Sequence, residues 1–400
     1  IDGDNGNELW SENYERSLSD VVTIQRDIAG QVARALHVVL PVEAEKRLKN
    51  LGSSNVEAYD LYLRGLDYLR RPADEVSLMQ AEGSLRQALA LDPNFINAHA
   101  AMCQVHLRRY LLTRDASRFD AVEGACRASL SYDRDNSEAQ IALGGIYLAS
   151  GMYDDALAAY EAALAINATS PDAYIGLAKT QVALGETDAA EASLRRAIDA
   201  DVSYWASFQA MGNFLFRAGR FNEAADFFNM FVSRADNDAA ALNNLGAAYY
   251  FAGDFQRAAE AWDASLEHRP TRGAYSNTGS MYFYLGDFEK AANRYSLAIN
   301  LAPRDHRLWG NLADAYFFSN DMRQAAEIAY DQAILLGEAR LDVNAIEADT
   351  AADLAHYYAR TGNRDRSLEL LEFALSESPD DMYVHYNAAL IHAQFDDLDA

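Results

Sequence analysis

The stretch Leu242–Trp262, LNNLGAAYYFAGDFQRAAEAW, decides the fold. It places a small residue at Gly246, a second glycine seven positions on at Gly253, another small residue at Ala258 and a large ring at Trp262. Each has a physical reason. The two small residues suit the point where two helices cross, because a larger side chain there would push the backbones apart. Gly253 permits the left-handed residue that ends a first helix before a tight turn. Trp262 fills the seam between neighbouring helices.

Working outward, the same pattern returns along most of the chain. Small residues recur at Gly144, Ala178, Gly212, Gly246, Gly279, Ala313, Ala355 and Ala389, in steps of 34, 34, 34, 33, 34, 42 and 34. Twelve positions after each of the first seven stand Ala156, Ala190, Ala224, Ala258, Ala291, Ala325 and Ser367. The helix-ending position holds Gly151, Gly185, Gly219, Gly253, Gly286 and Gly362, with Asn320 and Asp396 in the remaining two repeats. Tyr160, Leu194, Phe228 and Tyr295 join Trp262 as seam fillers. Pro93, Pro270, Pro303 and Pro379 close second helices that they cannot continue. One such unit cannot bury its own apolar face, whereas a stack makes a continuous core.

This spacing and pattern resemble the tetratricopeptide repeat over about residues 57 to 400. The resemblance implies an all-α chain, a right-handed superhelix (α-solenoid) of about ten helix-turn-helix repeats. They are expected near 57–94, 96–136, 137–170, 171–204, 205–238, 239–271, 272–305, 306–347, 348–381 and, cut short, 382–400. The first carries an expected insertion between its helices, RRPADEVSLM (Arg70–Met79), and the second another near Leu112–Arg118. The step of 42 implies a lengthened second helix and loop around Gly337 to Asp349. First helices line the inner groove of such a stack, where partners of the family usually lie.

Residues 1–51 lack the repeat. IDGDNGNELWSENYERS combines turn formers with alternating apolar residues, as at the end of a hairpin. Ser19-Asp20 suits the cap of a following helix. The string LWSENYERSLSDVVTIQRDIAGQVARAL, from Leu9, resembles the end of a TolB-like amino-terminal domain, and EAYDLYLRGLDYL at Glu57–Leu69 is similar to the repeat that follows it. This implies a short α/β remnant within a bacterial signalling protein. Such proteins commonly begin with a class III nucleotide cyclase, a winged-helix DNA-binding domain or a kinase. None of their motifs occurs in this sequence. Both ends look cut from a longer polypeptide, and the expected compartment is the bacterial periplasm, behind an upstream membrane helix, ahead of the cytoplasm.

Half of the residues are apolar, which excludes a disordered chain. No run approaches the roughly 20 apolar residues that span a bilayer. Sixty acidic against 34 basic residues give a net charge of −26. Such a chain repels phosphate backbones and anionic lipid, which argues against nucleic acid and direct membrane binding and favours a basic partner; solubility alone is the plainer account. The two cysteines, Cys103 and Cys126, fall at packing positions of one repeat. They read as a buried pair of thiols, or as a disulfide if the segment lies in an oxidising compartment.

Chemistry is sparse. His99/His106 and His385/His392 are seven apart, about 10 Å along a helix and too far to share one ion. The glycines follow the repeat register and make no phosphate loop. Asp154 and Asp155 suit the start of a second helix, where carboxylates favour the dipole. The segment therefore reads as no enzyme, with no cofactor and no metal, while a catalytic domain upstream stays open.

The groove positions are more informative. Two before the small residue stand Asn244, Asn277 and Asn311, with Asn387 in the last repeat and Asp353 intervening. A side-chain amide donates and accepts, so it bonds an extended backbone whatever its sequence. The ladder resembles the asparagine ladder of the repeat superhelix in O-linked N-acetylglucosamine transferase. The bland alternative is that the family consensus favours Asn here. Phe216, Tyr250-Phe251, Phe283-Tyr284 and Phe317-Phe318 follow on the same helices, one of each pair expected towards the groove. With Gln209 and Asn213 they make a candidate peptide-binding groove. The expected function is a protein-interaction scaffold. The alternatives are a regulatory segment acting on its own polypeptide's output domain, and a homo-oligomerisation module.

Overall fold

The computed structural model describes residue 53 and residues 55–395, apart from 71–73, 114, 236–237, 320–321 and 345. The expectations for residues 1–51, for Asn320 and for Asp396 fall outside the described residues. Among the described residues the chain is all α, with nineteen helices, one short 3-10 turn and no strand. The helices come as antiparallel pairs. α1 (Val56–Arg70) and α2 (Glu75–Leu91) are followed by α3 (Ile96–Thr113) and α4 (Phe119–Tyr132). Next come α5 (Ser137–Ala149) with α6 (Tyr153–Ile166), and α7 (Pro171–Leu184) with α8 (Thr187–Ala200). Then α9 (Trp205–Arg217) pairs with α10 (Phe221–Arg234), α11 (Ala239–Phe251) with α12 (Phe255–His268), and α13 (Arg272–Tyr284) with α14 (Phe288–Leu301). The series ends with α15 (His306–Phe318) and α16 (Arg323–Val343), α17 (Ala348–Arg360) and α18 (Arg364–Glu377), and α19 (Met382–Gln394). The chain divides after Ser207 into two compact units.

Local chemistry sets the turns. The six repeat glycines, Gly151 to Gly362, all adopt left-handed backbone with φ between 73° and 86°. At Gly253 this ends α11, and the next residue at once starts α12: the Asp254 side chain accepts the Arg257 N–H at 3.0 Å. Asp287 after Gly286 does the same for the Lys290 N–H. Second helices stop two residues before a proline, at Leu91, His268, Leu301 and Glu377. Inside each pair a large side chain lies over a small one: Tyr160 over Gly144, Phe228 over Gly212 and Tyr295 over Gly279.

Three expectations take definite form. Most of the supposed insertion Arg70–Met79 is helix, because Asp74 accepts from the Ser77 N–H at 2.9 Å and α2 begins at Glu75. Of Leu112–Arg118, the first two residues extend α3 and Ala116–Arg118 forms the 3-10 turn. Cys103 and Cys126 are joined in a disulfide and are no pair of free thiols. Both are fully buried where α3 crosses α4, and side chains this small let the Cα atoms approach to 4.7 Å, within bridging range. The residues added by the long step of 42 go into α16, which has 21 residues against 14 in α14.

Candidate functional site

Within the second unit the first helices α13, α15, α17 and α19 touch in succession. They enclose a pocket of about 340 Å³, with Phe283 and Tyr284 from α13, Asn311 and Asp314 from α15, His356 and Tyr357 from α17, and Tyr386 and Asn387 from α19. A second pocket of about 320 Å³ lies one repeat earlier, lined by Tyr250, Phe251, Trp262, Asn277 and Met281. Ser280 and Tyr284 line both, so the two are neighbouring stretches of one groove.

The expected groove residues divide accordingly. Tyr250, Phe251, Asn277, Phe283, Tyr284, Asn311 and Asn387 line the pockets, whereas Gln209, Asn213, Phe216, Asn244, Phe317 and Phe318 line neither. In each aromatic pair the second ring is the open one: Phe251 is 55% exposed, Tyr284 54% and Phe318 45%. Their partners Tyr250, Phe283 and Phe317 are half-buried. The amides are unequal. Asn213 and Asn277 are exposed, Asn244 and Asn311 half-buried, and Asn387 is 5% exposed with its Nδ2 given to the Tyr383 carbonyl of its own helix. Asn387 is thus no free rung like Asn277.

The rings form a seam that follows the groove. Phe216 meets Phe251 edge-on at 5.3 Å, and Phe221 stacks on Phe251 at 5.2 Å. Phe255 lies 5.3 Å from Tyr284, and Phe288 stacks on Phe318 at 5.6 Å. Phe221, Phe255 and Phe288 open the second helices, nine positions after Gly212, Gly246 and Gly279. The sequence reading missed them, although their fixed offset was there to find.

It also missed the charged floor of the larger pocket. Asp353 occupies the ladder position of its repeat but is buried. Its Oδ2 accepts from Arg307 Nε at 2.8 Å, and its Oδ1 accepts from the Tyr383 hydroxyl. Burial pushes its carboxyl up, against the opposing pull of Tyr383, Arg307 and His306. Arg307 also gives Nη2 to Asp349 Oδ2 at 3.1 Å. Asp314 Oδ1 accepts from the Tyr330 hydroxyl at 2.5 Å and lies 3.2 Å from His356 Nε2. Burial would raise this carboxyl too, but His356, Tyr330 and Arg360 outweigh it and hold it below the usual carboxylate range. Among the described residues no three His, Cys, Asp or Glu gather in a way that could hold a metal ion, and no helix is long and apolar enough to cross a membrane.

Comparison with known proteins agrees with the helix pairs. Models of the tetratricopeptide repeat match residues 147–212, 239–272, and 112–171, 277–341 and 352–400. A protein of Rhizobium meliloti (strain 1021) named "Putative adenylate cyclase 3" is 31% identical over 141 residues, which are 35% of this chain and 24% of that protein. The chain therefore matches about a quarter of that relative's length. Among solved structures, the C-terminal part of a repeat protein from Cytophaga hutchinsonii is 18% identical, with a TM-score of 0.46, covering 62% of this chain and 98% of that one. YrrB, a protein of the same repeat with an unusual peptide-binding site, is 19% identical with a TM-score of 0.33, covering 48% of this chain and 94% of that one.

Proposed function

We propose, from the premise that this chain is built of tetratricopeptide repeats, that the first helices of its second unit bind an extended peptide and make the segment a scaffold for a protein partner. The observation that carries the reading is the groove of two pockets sharing Ser280 and Tyr284, with amides and open rings along it. Asn277 offers an exposed donor and acceptor for a peptide main chain, with Asn311 one repeat on. Tyr284, open to solvent and set between the pockets, offers a rigid ring with a polar tip, the kind of group that anchors an interface.

The test is affinity capture from a lysate of the source cells, comparing wild type with the triple variant Asn244→Ala, Asn277→Ala, Asn311→Ala. Circular dichroism checks that both are folded. A partner held by the wild type and lost by the variant supports the groove. Equal retention by both assigns the amides to packing and sinks this reading.

A second reading keeps the groove inside its own polypeptide, as a segment that regulates a nucleotide cyclase. It is favoured by the partial likeness to the Rhizobium meliloti relative. Here the occupant is a segment of the same protein. The triple variant would then change the output of the parent protein while capturing nothing from solution.

A further inference from the structure

The peptide reading leaves the chemistry of the occupant open, and the floor of the larger pocket narrows it. Asp314 lines this pocket. Its Oδ1 holds the Tyr330 and His356 contacts, while its Oδ2 makes no hydrogen bond among the described residues. The carboxylate stays ionised at neutral pH, since its neighbours hold it below the usual range. At the mouth stand Tyr284 and Tyr386, the latter 55% exposed. They are close enough that the Tyr386 hydroxyl, after burial, adds to the upward push on the Tyr284 phenol.

Two cations stand nearby, and neither bonds Oδ2 of Asp314. Arg307 is bonded to both Asp353 and Asp349. Arg360 lies over the Phe317 ring at 4.7 Å, with its Nε 3.8 Å from the Asp314 oxygen that is already shared. What enters the pocket meets Asp314, whose second oxygen has unused capacity, and the tyrosines that line it.

We propose that this pocket receives a lysine or arginine side chain of the peptide held along the groove. The inference rests on the groove reading above. A cation would bond Oδ2 of Asp314 and lie against the tyrosine faces, whose quadrupole attracts positive charge. An acidic side chain would meet Asp314 as a like charge. An apolar one would cover Oδ2 and leave it with neither water nor a donor. The chain's net charge of −26 draws basic segments towards it from a distance.

The experiment selects a displayed library of random nonapeptides on the full chain. The best binder is then synthesised twice, once as selected and once with its basic residue replaced by a neutral isostere, Nε-acetyllysine or citrulline. The expected result is a lysine or arginine at one fixed position, with the neutral form binding about tenfold or more weakly. The difference should shrink in Asp314→Asn and in Tyr386→Ala. The second variant removes an exposed ring, so it keeps the test alive if the first fails to fold. Binders without a basic residue overturn the proposal, as do charged and neutral forms that bind alike, or a preference undiminished in both variants. In those cases peptides still bind and the groove reading stands. If the wild type enriches nothing over the triple Asn variant, the groove reading itself fails.

Discussion

The indole of Trp262 lies directly on Gly246: a methyl group added to that glycine would stand 2.7 Å from both Cε2 and Nε1. The two residues are sixteen positions apart, one on each helix of a pair. Gly144 with Tyr160, Gly212 with Phe228 and Gly279 with Tyr295 repeat the contact. At Ala178 and Ala355 the position sixteen on is Leu194 or Leu371, and all four are buried; at Ala313 it is Ala329, with the buried ring of Tyr330 one position further. Ring plus hydrogen, or isobutyl plus methyl, fill the same volume between crossing helices.

It follows that Gly246→Ala destabilises the second unit by about 1–3 kcal/mol, the usual cost of overpacking a close contact. Adding Trp262→Leu should recover part of this loss, since that pairing already occurs at Ala178 and Leu194. Urea denaturation of the wild type, both single variants and the double variant measures the coupling. Strict additivity of the two changes would mean that they do not share one space.

The disulfide closes a loop of 23 residues in the first unit, between α3 and α4. Loop closure of that length stabilises by about 3 kcal/mol. In a stack of repeats that gain is felt by near neighbours, so reduction should raise hydrogen exchange in α3 and α4 while leaving α13 to α15 unchanged. Two free thiols titrated in the denatured, unreduced protein would contradict the bond.

Tyr284 and Phe216 make opposite predictions for binding. Tyr284 lines both pockets and is more than half exposed, whereas Phe216 lines neither. Tyr284→Ala should weaken a selected peptide by about 2 kcal/mol with little change in melting temperature. Phe216→Ala should leave affinity nearly intact while loosening its contacts with Phe221 and Phe251. Comparable affinity losses would place the bound peptide elsewhere.

Acid should weaken the fold before any ion pair titrates. Burial lowers the His306 imidazole below its ordinary 6.5, more than the neighbouring Asp353 carboxylate raises it. His106 in the first unit is lowered by burial as well, against Glu82. The folded chain binds these protons less readily than the unfolded one. Stability is therefore full above pH 6.5 and is lost as pH falls from there through the lower folded values. Carboxylates lowered by their partners, such as Glu347 beside Arg340, act only below 4.5. Urea midpoints at pH 7 and about 5.5 should fall in the wild type and fall less in His306→Gln. Equal falls would remove His306 from the account.

The legible part of this protein is whatever recurs at a fixed offset. Gly253 announces its left-handed turn, Pro303 the end of α14, and Gly246 the ring that covers it, because each answers a backbone constraint met in every repeat. The candidate groove was legible only as a face. Asn277 and Tyr284 were placed by register, but the burial of Asp353 depends on Arg307, 46 positions earlier, and on Tyr383, 30 positions later. Such partners belong to neighbouring repeats, and no periodicity names them. The disulfide was undecided for a related reason: register put Cys103 and Cys126 at packing positions, while bonding depends on a Cα separation that register does not supply.

The ion pair at Asp353 has a consequence for anything lying on the rungs before it. Amides one repeat apart look alike to a main chain: under the proposed reading, a strand bonded to Asn277 could pair in the same way with Asn311, one repeat on. At the next rung the amide is replaced by a buried carboxylate already bonded to Arg307 and Tyr383, which has nothing to offer a main chain. The row thus has a definite end. If a strand binds as proposed, it would lose contacts on passing Asp353, and the end of the row would then fix where it stops and with it a reading frame.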